Sequence, residues 1–262
     1  MPRIVTFTSD YGTDDEFVGV CHAVIARIVP EVRIIDIAHG VRGLRAVSAV
    51  LRQSLPFTPR AVHLGVCDPG VGTDRRGVVI GTGDGSVLVG PDNGLLLEAA
   101  DELGGPALAF ELLEPRFRLE PTSATFHGRD IFAPAAAHIA RGITPQAFGP
   151  PVDVDDLIRL APPKVDVGDG VLSSEVLRPE GFGNVQLAAT GDDLVRASLG
   201  RRARVVCANG SHDAVVGRTF ADASPGGLVI LVDAAGHASL AVNHGSAAER
   251  LGDPSDVRLE RA

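Results

Sequence analysis

The stretch IVTFTSDYGTDDEFVGVCHAVIARIVPEVRIIDI, residues 4–37, decides the fold class. Ile4 to Thr8 reads as a buried strand that stops at Ser9-Asp10-Tyr11-Gly12. Thr13 and Asp14 are suited to cap the helix that follows. In that helix Phe17, Val18, Cys21, Val24, Ile25 and Ile28 recur at helical spacing, and Pro30 ends it. Val32 to Ile37 is the next strand. A strand, a helix and a strand in this order predict a parallel pair joined by a right-handed crossover.

Working outward, a helix is expected from about Leu44 to Leu55, and a strand over Ala61–Val66 that discharges into Cys67-Asp68-Pro69-Gly70-Val71-Gly72-Thr73. Gly77–Ile80 and Ser86–Val89 flank Gly83-Asp84-Gly85, a hairpin signature. Helices are expected over Gly94–Leu103 and Asp130–Arg141. Residues 1–150 therefore read as an α/β domain with a largely parallel, Rossmann-like sheet. Residues 151–165 carry Pro151, Pro162 and Pro163 among scattered acids and read as a linker. Beyond them, residues 166–262 hold short β-rich runs separated by Gly or Pro turns, with no long helix between them. The runs are Gly170–Leu177, Asn184–Ala188, Ala203–Cys207, Ala214–Arg218, Leu228–Val232 and Ser239–Val242, which suggest a small β-barrel or sandwich.

Composition narrows the function classes. The 262 residues are 45% hydrophobic and 22% charged, as in an ordinary globular protein. No stretch approaches the roughly 20 apolar residues of a membrane span. Met1-Pro2-Arg3 leads straight into the first strand without the charged and apolar regions of a secretory signal, so a cytoplasmic location is expected. A net charge of −9 argues against nucleic-acid and anionic-membrane partners. Cys21, Cys67 and Cys207 are scattered with no CxxC pair, which fits a reducing compartment and gives no thiolate metal cluster. His39, His63 and His127 are isolated and lack ligand spacing such as HExxH, so no metal site is expected.

In open α/β sheets, ligands sit at the carboxyl ends of the strands. Those ends present Asp10, then Asp36 and His39, then Asp68. Any one of them alone is as well explained as a helix cap or turn former. Together at one sheet edge they point to a site. Asp68 to Arg75 is a glycine-rich turn holding an acid and a base seven residues apart, without the Gly-Lys-Ser/Thr of a Walker loop. Gly90-Pro91-Asp92-Asn93-Gly94 is a second turn. Thr125-Phe126-His127-Gly128-Arg129-Asp130 is a third, with Asp130 placed to cap the following helix.

Ser9-Asp10-Tyr11-Gly12, Asp36-Ile37-Ala38-His39, Asp68-Pro69-Gly70-Val71-Gly72-Thr73, Pro91-Asp92-Asn93-Gly94, Phe126-His127-Gly128-Arg129-Asp130 and Phe182-Gly183-Asn184 occur in this order. The set resembles the S-adenosylmethionine hydroxide adenosyltransferase family, adenosine-forming hydrolases related to fluorinating and chlorinating enzymes. The resemblance spans nearly the whole chain. It implies an N-terminal α/β domain and a C-terminal β-barrel, assembled as a homotrimer with the substrate between domains of neighbouring subunits. It implies Asp68, Arg75 and His127 as catalytic residues that direct water at the ribose 5′ carbon of S-adenosyl-L-methionine. Substrate contacts are implied for Asp10, Asn93, Phe126, Glu180, Phe182 and Asn184, and no cofactor is expected. The chain departs from the pattern at Glu180, where relatives often carry Asp, and at Asp233-Ala234-Ala235-Gly236, where they often show Asn-Ser-x-Gly.

Two other functions compete with hydrolysis. A halide-using synthase needs a pocket for an anion, which a carboxylate at Asp68 would repel. Its fluorinating branch also carries a longer insertion after the segment matching Arg75 and a Tyr-Ser in place of His127-Gly128; this chain has neither. A non-catalytic sensor of S-adenosylmethionine or adenosine would not require the Asp–Arg–His set.

Overall fold

Apart from Ile4, Ile4–Ser9 (β1) is fully buried, with Val5 and Phe7 on one face and Thr6 and Thr8 on the other, as a strand covered by helices on each side must be. The computed structural model describes residues 4–262; Met1-Pro2-Arg3 lie outside the described residues. The chain divides into two compact units, one running to Leu160 and the other from Ala161 to Ala262.

In the first unit β1 is followed by Phe17–Ile28 (α1), Arg33–Ala38 (β2), Leu44–Ser54 (α2), Val62–Val66 (β3), Gly77–Thr82 (β4), Val87–Pro91 (β5), Leu97–Glu102 (α3), Pro106–Glu111 (β6), Ala133–Ala140 (α4) and Pro151–Val152 (β7). The seven strands lie in the order β2-β1-β3-β5-β4-β6-β7. The β2-β1-β3-β5 pairs are parallel, and β4, β6 and β7 extend the sheet antiparallel. Helices cover both faces. Cys21, Val24 and Ile25 of α1 and the alanines of α4 share one core with Val5, Phe7, Leu64 and Val79. Val47 and Leu51 of α2 and Ala99 and Ala100 of α3 share the other with Val78, Ile80 and Leu88. Alternate residues of β4 thus serve opposite faces, as the period of two requires.

The expected crossover is present, with its ends moved. α1 begins at Phe17, after Glu16, which supplies no side-chain cap, so Thr13 and Asp14 lie in the preceding bends. The helix expected over Gly94–Leu103 is shortened to α3, because Asn93 and Gly94 complete a turn first. Residues 151–160, which read as the start of a linker, are held on the first unit. β7 pairs with β6, Arg159 forms an ion pair with Asp101, and the Ile158 amide donates to Asp92 at 2.8 Å.

The second unit runs through Val165–Gly168 (β8), Val171–Pro179 (β9), Val185–Thr190 (β10), Gly191–Ala197 (α5), Arg202–Cys207 (β11), Gly210–Val216 (β12), Leu228–Val232 (β13), His237–Val242 (β14), Ala247–Leu251 (α6) and Asp256–Arg261 (β15). Seven strands close into a barrel, β9-β10-β14-β13-β12-β11-β15 and back to β9, with β8 appended beside the first half of β9. Closure leaves the ring without a free edge. Leu172, Leu187, Val205, Ile230, Leu240 and Leu259 fill its interior. A capping box, Thr190 with Asp193, starts α5. No helix among the described residues is long and apolar enough to cross a membrane.

One buried group of the central sheet makes stability pH-dependent. His63 on β3 is 1% exposed, bonded through Nδ1 to the Thr6 hydroxyl at 2.8 Å, and burial pushes its pKa down to about 4. Above its ordinary value of about 6.5 both folded and unfolded chains hold it neutral. As pH falls from there, the unfolded chain takes up a proton that the folded chain refuses until about pH 4. The fold is therefore expected to lose about 3 kcal/mol across that window on account of this side chain. In His63→Asn, urea unfolding at pH 7 and pH 4 should differ by that much less than in the wild type.

Candidate active site

Two strand ends and one helix start build the site, all within the first unit. β1 ends in the turn Ser9–Gly12, whose Asp10 amide donates to Val66 O at 3.2 Å and whose Gly12 amide donates to His39 O at 2.6 Å. β3 ends in the turn Cys67–Arg75, held by the Val71 amide on Asp68 O and the Thr73 amide on Gly70 O, both at 3.2 Å. The third segment, Thr125–His127, leads into a wide π-type turn, Gly128–Phe132, that continues as α4.

The turn geometry brings Asp68, Arg75 and His127 into one hydrogen-bonded set. Arg75 Nε donates to Asp68 Oδ1 at 3.0 Å, and its terminal amino group forms an ion pair with the other carboxylate oxygen. That same amino group reaches His127 Nδ1 at 3.1 Å, and Nη1 donates to Arg76 O at 3.1 Å. The guanidinium lies 5.3 Å from the centroid of the Phe132 ring. The Asp68 and Arg75 side chains are only 7% and 9% exposed, so the pair is largely out of water.

Electrostatics sets the protonation states. Burial pushes the Asp68 carboxyl above the usual carboxylate range, against the pull of Arg75. Burial and the Arg75 charge push His127 below the usual imidazole value, so the ring is neutral at neutral pH. A guanidinium only donates, so Nδ1 accepts and the ring proton sits on Nε2.

Asp10, Tyr11, Cys67, Asp68, Phe126 and His127 line a cavity of about 270 Å³. Phe126 packs edge-on against Tyr11 and Phe17, with centroids 5.6 and 5.1 Å apart. Asn93 stands behind the cavity lining: its amide donates to Cys67 O at 2.9 Å and accepts from the Leu95 amide at 3.2 Å, so it braces the Cys67–Arg75 turn. Asp130 is buried inside the π-type turn, where it pairs with Arg129 and accepts from the Ser123 amide; it does not cap a helix.

Sequence reasoning missed Tyr11. A β-carbon at Gly128 would stand 1.8 Å from its hydroxyl, so the absence of a side chain at 128 is what lets that hydroxyl reach the His127 turn. Burial keeps the phenol protonated. Cys67 also faces the cavity. Burial, then the neighbouring Asp10 carboxylate, push its thiol up to about 12, which leaves it a donor and not a nucleophile.

Glu180, Phe182 and Asn184 form a separate group on the β9–β10 turn of the second unit. Asn184 donates to Glu180 at 3.0 Å, Arg178 donates to the other Glu180 oxygen at 3.3 Å, and Phe182 is 91% exposed. Among the described residues no group of three or more His, Cys, Asp or Glu side chains is placed to hold a metal ion.

Comparison with known proteins agrees along the whole chain. Residues 5–149 match the family described as the SAM hydroxide adenosyltransferase N-terminal domain, and residues 175–256 match its C-terminal domain. The (R)-S-adenosyl-L-methionine hydrolase of Salinispora arenicola is 49% identical over 94% of this chain and 93% of its own length. The enzyme of the same name from Thermus thermophilus is 41% identical over 95% of this chain and 96% of its own. A solved Thermotoga maritima structure superposes with a TM-score of 0.88 at 35% identity, covering 98% of this chain and 100% of that one.

Proposed function

The chain belongs to the S-adenosylmethionine hydroxide adenosyltransferase family, and from that premise we propose that it hydrolyses (R)-S-adenosyl-L-methionine to adenosine and L-methionine. Water attacks the ribose 5′ carbon, its oxygen forms the new bond, and the carbon–sulfur electron pair leaves with methionine as a neutral thioether. No acid is needed to protonate that leaving group, and no cofactor enters the balance. The remaining task is to place a water in line and accept its proton. Positioning is worth about 7–11 kcal/mol in favourable cases, and a base adds typically about 10²–10⁴-fold.

The single observation that carries this reading is the Asp68–Arg75–His127 set, whose Asp68 and His127 line a cavity together with Asp10 and Phe126. Within it, His127 presents an Nε2–H able to orient water. Asp68, already raised in pKa, is the better proton acceptor, and Arg75 stabilises the developing hydroxide. Asp10 is assigned to the ribose hydroxyls and Phe126 to the sugar face. The proposed assembly is a cytoplasmic homotrimer in which Glu180, Phe182 and Asn184 of one copy complete the site of another. The 91% exposed Phe182 favours such a partner surface, and light scattering checks it.

Incubation in ¹⁸O-water, with and without chloride, tests the reaction: label in the adenosine 5′-hydroxyl supports hydrolysis. A 5′-haloadenosine points instead to halide transfer, and absence of product to a sensor. The pH profile tests the protonation states. Asp68 must be ionised and His127 neutral, so kcat should be level above about pH 6.5 and fall in acid. A fall between pH 7 and 9 would count against the assignment.

A further inference from the structure

Asp36 and His39 were singled out by their place at the sheet edge, yet neither lines the cavity. They belong to a chain of hydrogen bonds that ends under the substrate-binding turn. The Ser9 hydroxyl lies 2.7 Å from His39 Nδ1, His39 Nε2 lies 3.0 Å from Asp36 Oδ1, and His22 Nε2 lies 2.9 Å from the same oxygen. His39 is 6% exposed and set edge-on to Phe7, with centroids 4.7 Å apart.

The direction of the chain is fixed by what each group can do. The carboxylate only accepts, so a singly protonated His39 carries its proton on Nε2 and its Nδ1 accepts from the Ser9 O–H. That commits the Ser9 hydrogen and leaves its oxygen to accept from the Tyr11 amide at 3.4 Å. His39 grips the turn a second time, since its own carbonyl accepts from the Gly12 amide at 2.6 Å. Asp10 and Tyr11 are therefore clamped from both ends by one residue thirty positions away in sequence. The Ser-His-Asp order is not a nucleophilic triad: Ser9 is fully buried and out of reach of a substrate.

We propose that His39 is a positioning residue that sets the Asp10–Tyr11 turn through Ser9, with Asp36 fixing its tautomer, and that it governs substrate affinity and not the chemical step. The proposal rests on reading the cavity as an adenosyl site. Asn at 39 places a polar atom where Nδ1 was and keeps the Ser9 contact. Gln places one where Nε2 was and keeps only Asp36.

The test compares His39→Asn, His39→Gln, His39→Ala, Ser9→Ala and the Ser9→Ala/His39→Ala pair with the wild type, reading adenosine affinity by calorimetry, KM, kcat and melting temperature. His39→Gln, His39→Ala and Ser9→Ala should each weaken adenosine binding and raise KM by about ten- to a hundredfold, the effect of orphaning one buried hydrogen-bonding group. In all three kcat should stay within about twofold. His39→Asn should recover most of the affinity, and the double variant should be no worse than either single one. Equal losses in the Asn and Gln variants, a fall in kcat at unchanged KM, or additive losses in the double variant overturn it. A wild type that binds adenosine but turns over no sulfonium refutes the hydrolase reading while leaving the His39 comparison decisive. A wild type that does neither overturns both.

Discussion

Arg75→Met is expected to abolish measurable turnover and to destabilise the first unit, whereas Asp68→Leu combined with Arg75→Met should regain much of the stability and none of the activity. With both side chains over nine-tenths buried, removing one charge leaves the other without a partner in a poorly hydrated place. Such a break typically costs about 3–5 kcal/mol, while replacing both charges by apolar groups is often neutral or stabilising. Activity follows a different rule. Arg75 links Asp68 to His127 in the hydrogen-bonded set, so its loss removes the charge proposed to stabilise hydroxide and frees both partners to turn. A loss of at least about 10²-fold in kcat is expected for each single variant and for the pair. His127→Asn keeps an acceptor for Arg75 and should be milder than Asp68→Asn. Urea melts and kcat on the same preparations check all of these, and an active double variant would remove the pair from the mechanism.

Gly72→Ala should be nearly as damaging to turnover, by about 10²-fold or more, with little change in overall unfolding. Gly72 has a φ of +77°, a left-handed conformation that side chains resist, and its added β-carbon would stand 2.4 Å from Ala124 O. The obstacle is backbone, which cannot rotate away. The turn carrying Asp68 and Arg75 must then lift from the segment carrying Phe126 and His127, and the 3.1 Å contact between Arg75 and His127 is the one that opens. The change lies in surface turns, so the core of the unit is spared. Wild-type kcat in this variant would show that the spacing of the two turns is not critical.

Some of this was legible in the residues. The β1-α1-β2 crossover was readable because β1 is an uncharged run rich in β-branched residues and α1 repeats its buried residues at helical spacing. The three turns were readable because Gly and Asp cluster where strands stop or a helix starts. β15 was not. In Asp256–Arg261 only Val257 and Leu259 face the barrel interior, and the charges between them resemble a solvated tail. β6 was missed similarly, its burial being intermittent. In the site, Asp68, Arg75 and His127 could be picked out singly, but the 52-residue separation of Arg75 from His127 hides their contact. The resemblance implied a substrate contact for Asn93, but its two bonds to backbone became visible only in three dimensions. The Ser9–His39 link is equally invisible, since it depends on the register of β1 against β2, which shifts between Phe7 and Thr8.

The barrel imposes an order on biosynthesis. Its ring is joined between β11 and β9 by β15, residues 256–261, so two strands made much earlier wait with open sides while the ribosome completes the remainder. A message truncated before codon 256 yields a second unit with all but one of its ring strands and two bare, pairable edges. Nonsense or frameshift changes at codons 256–261 are thus expected to give aggregates, although every residue assigned to catalysis has been translated.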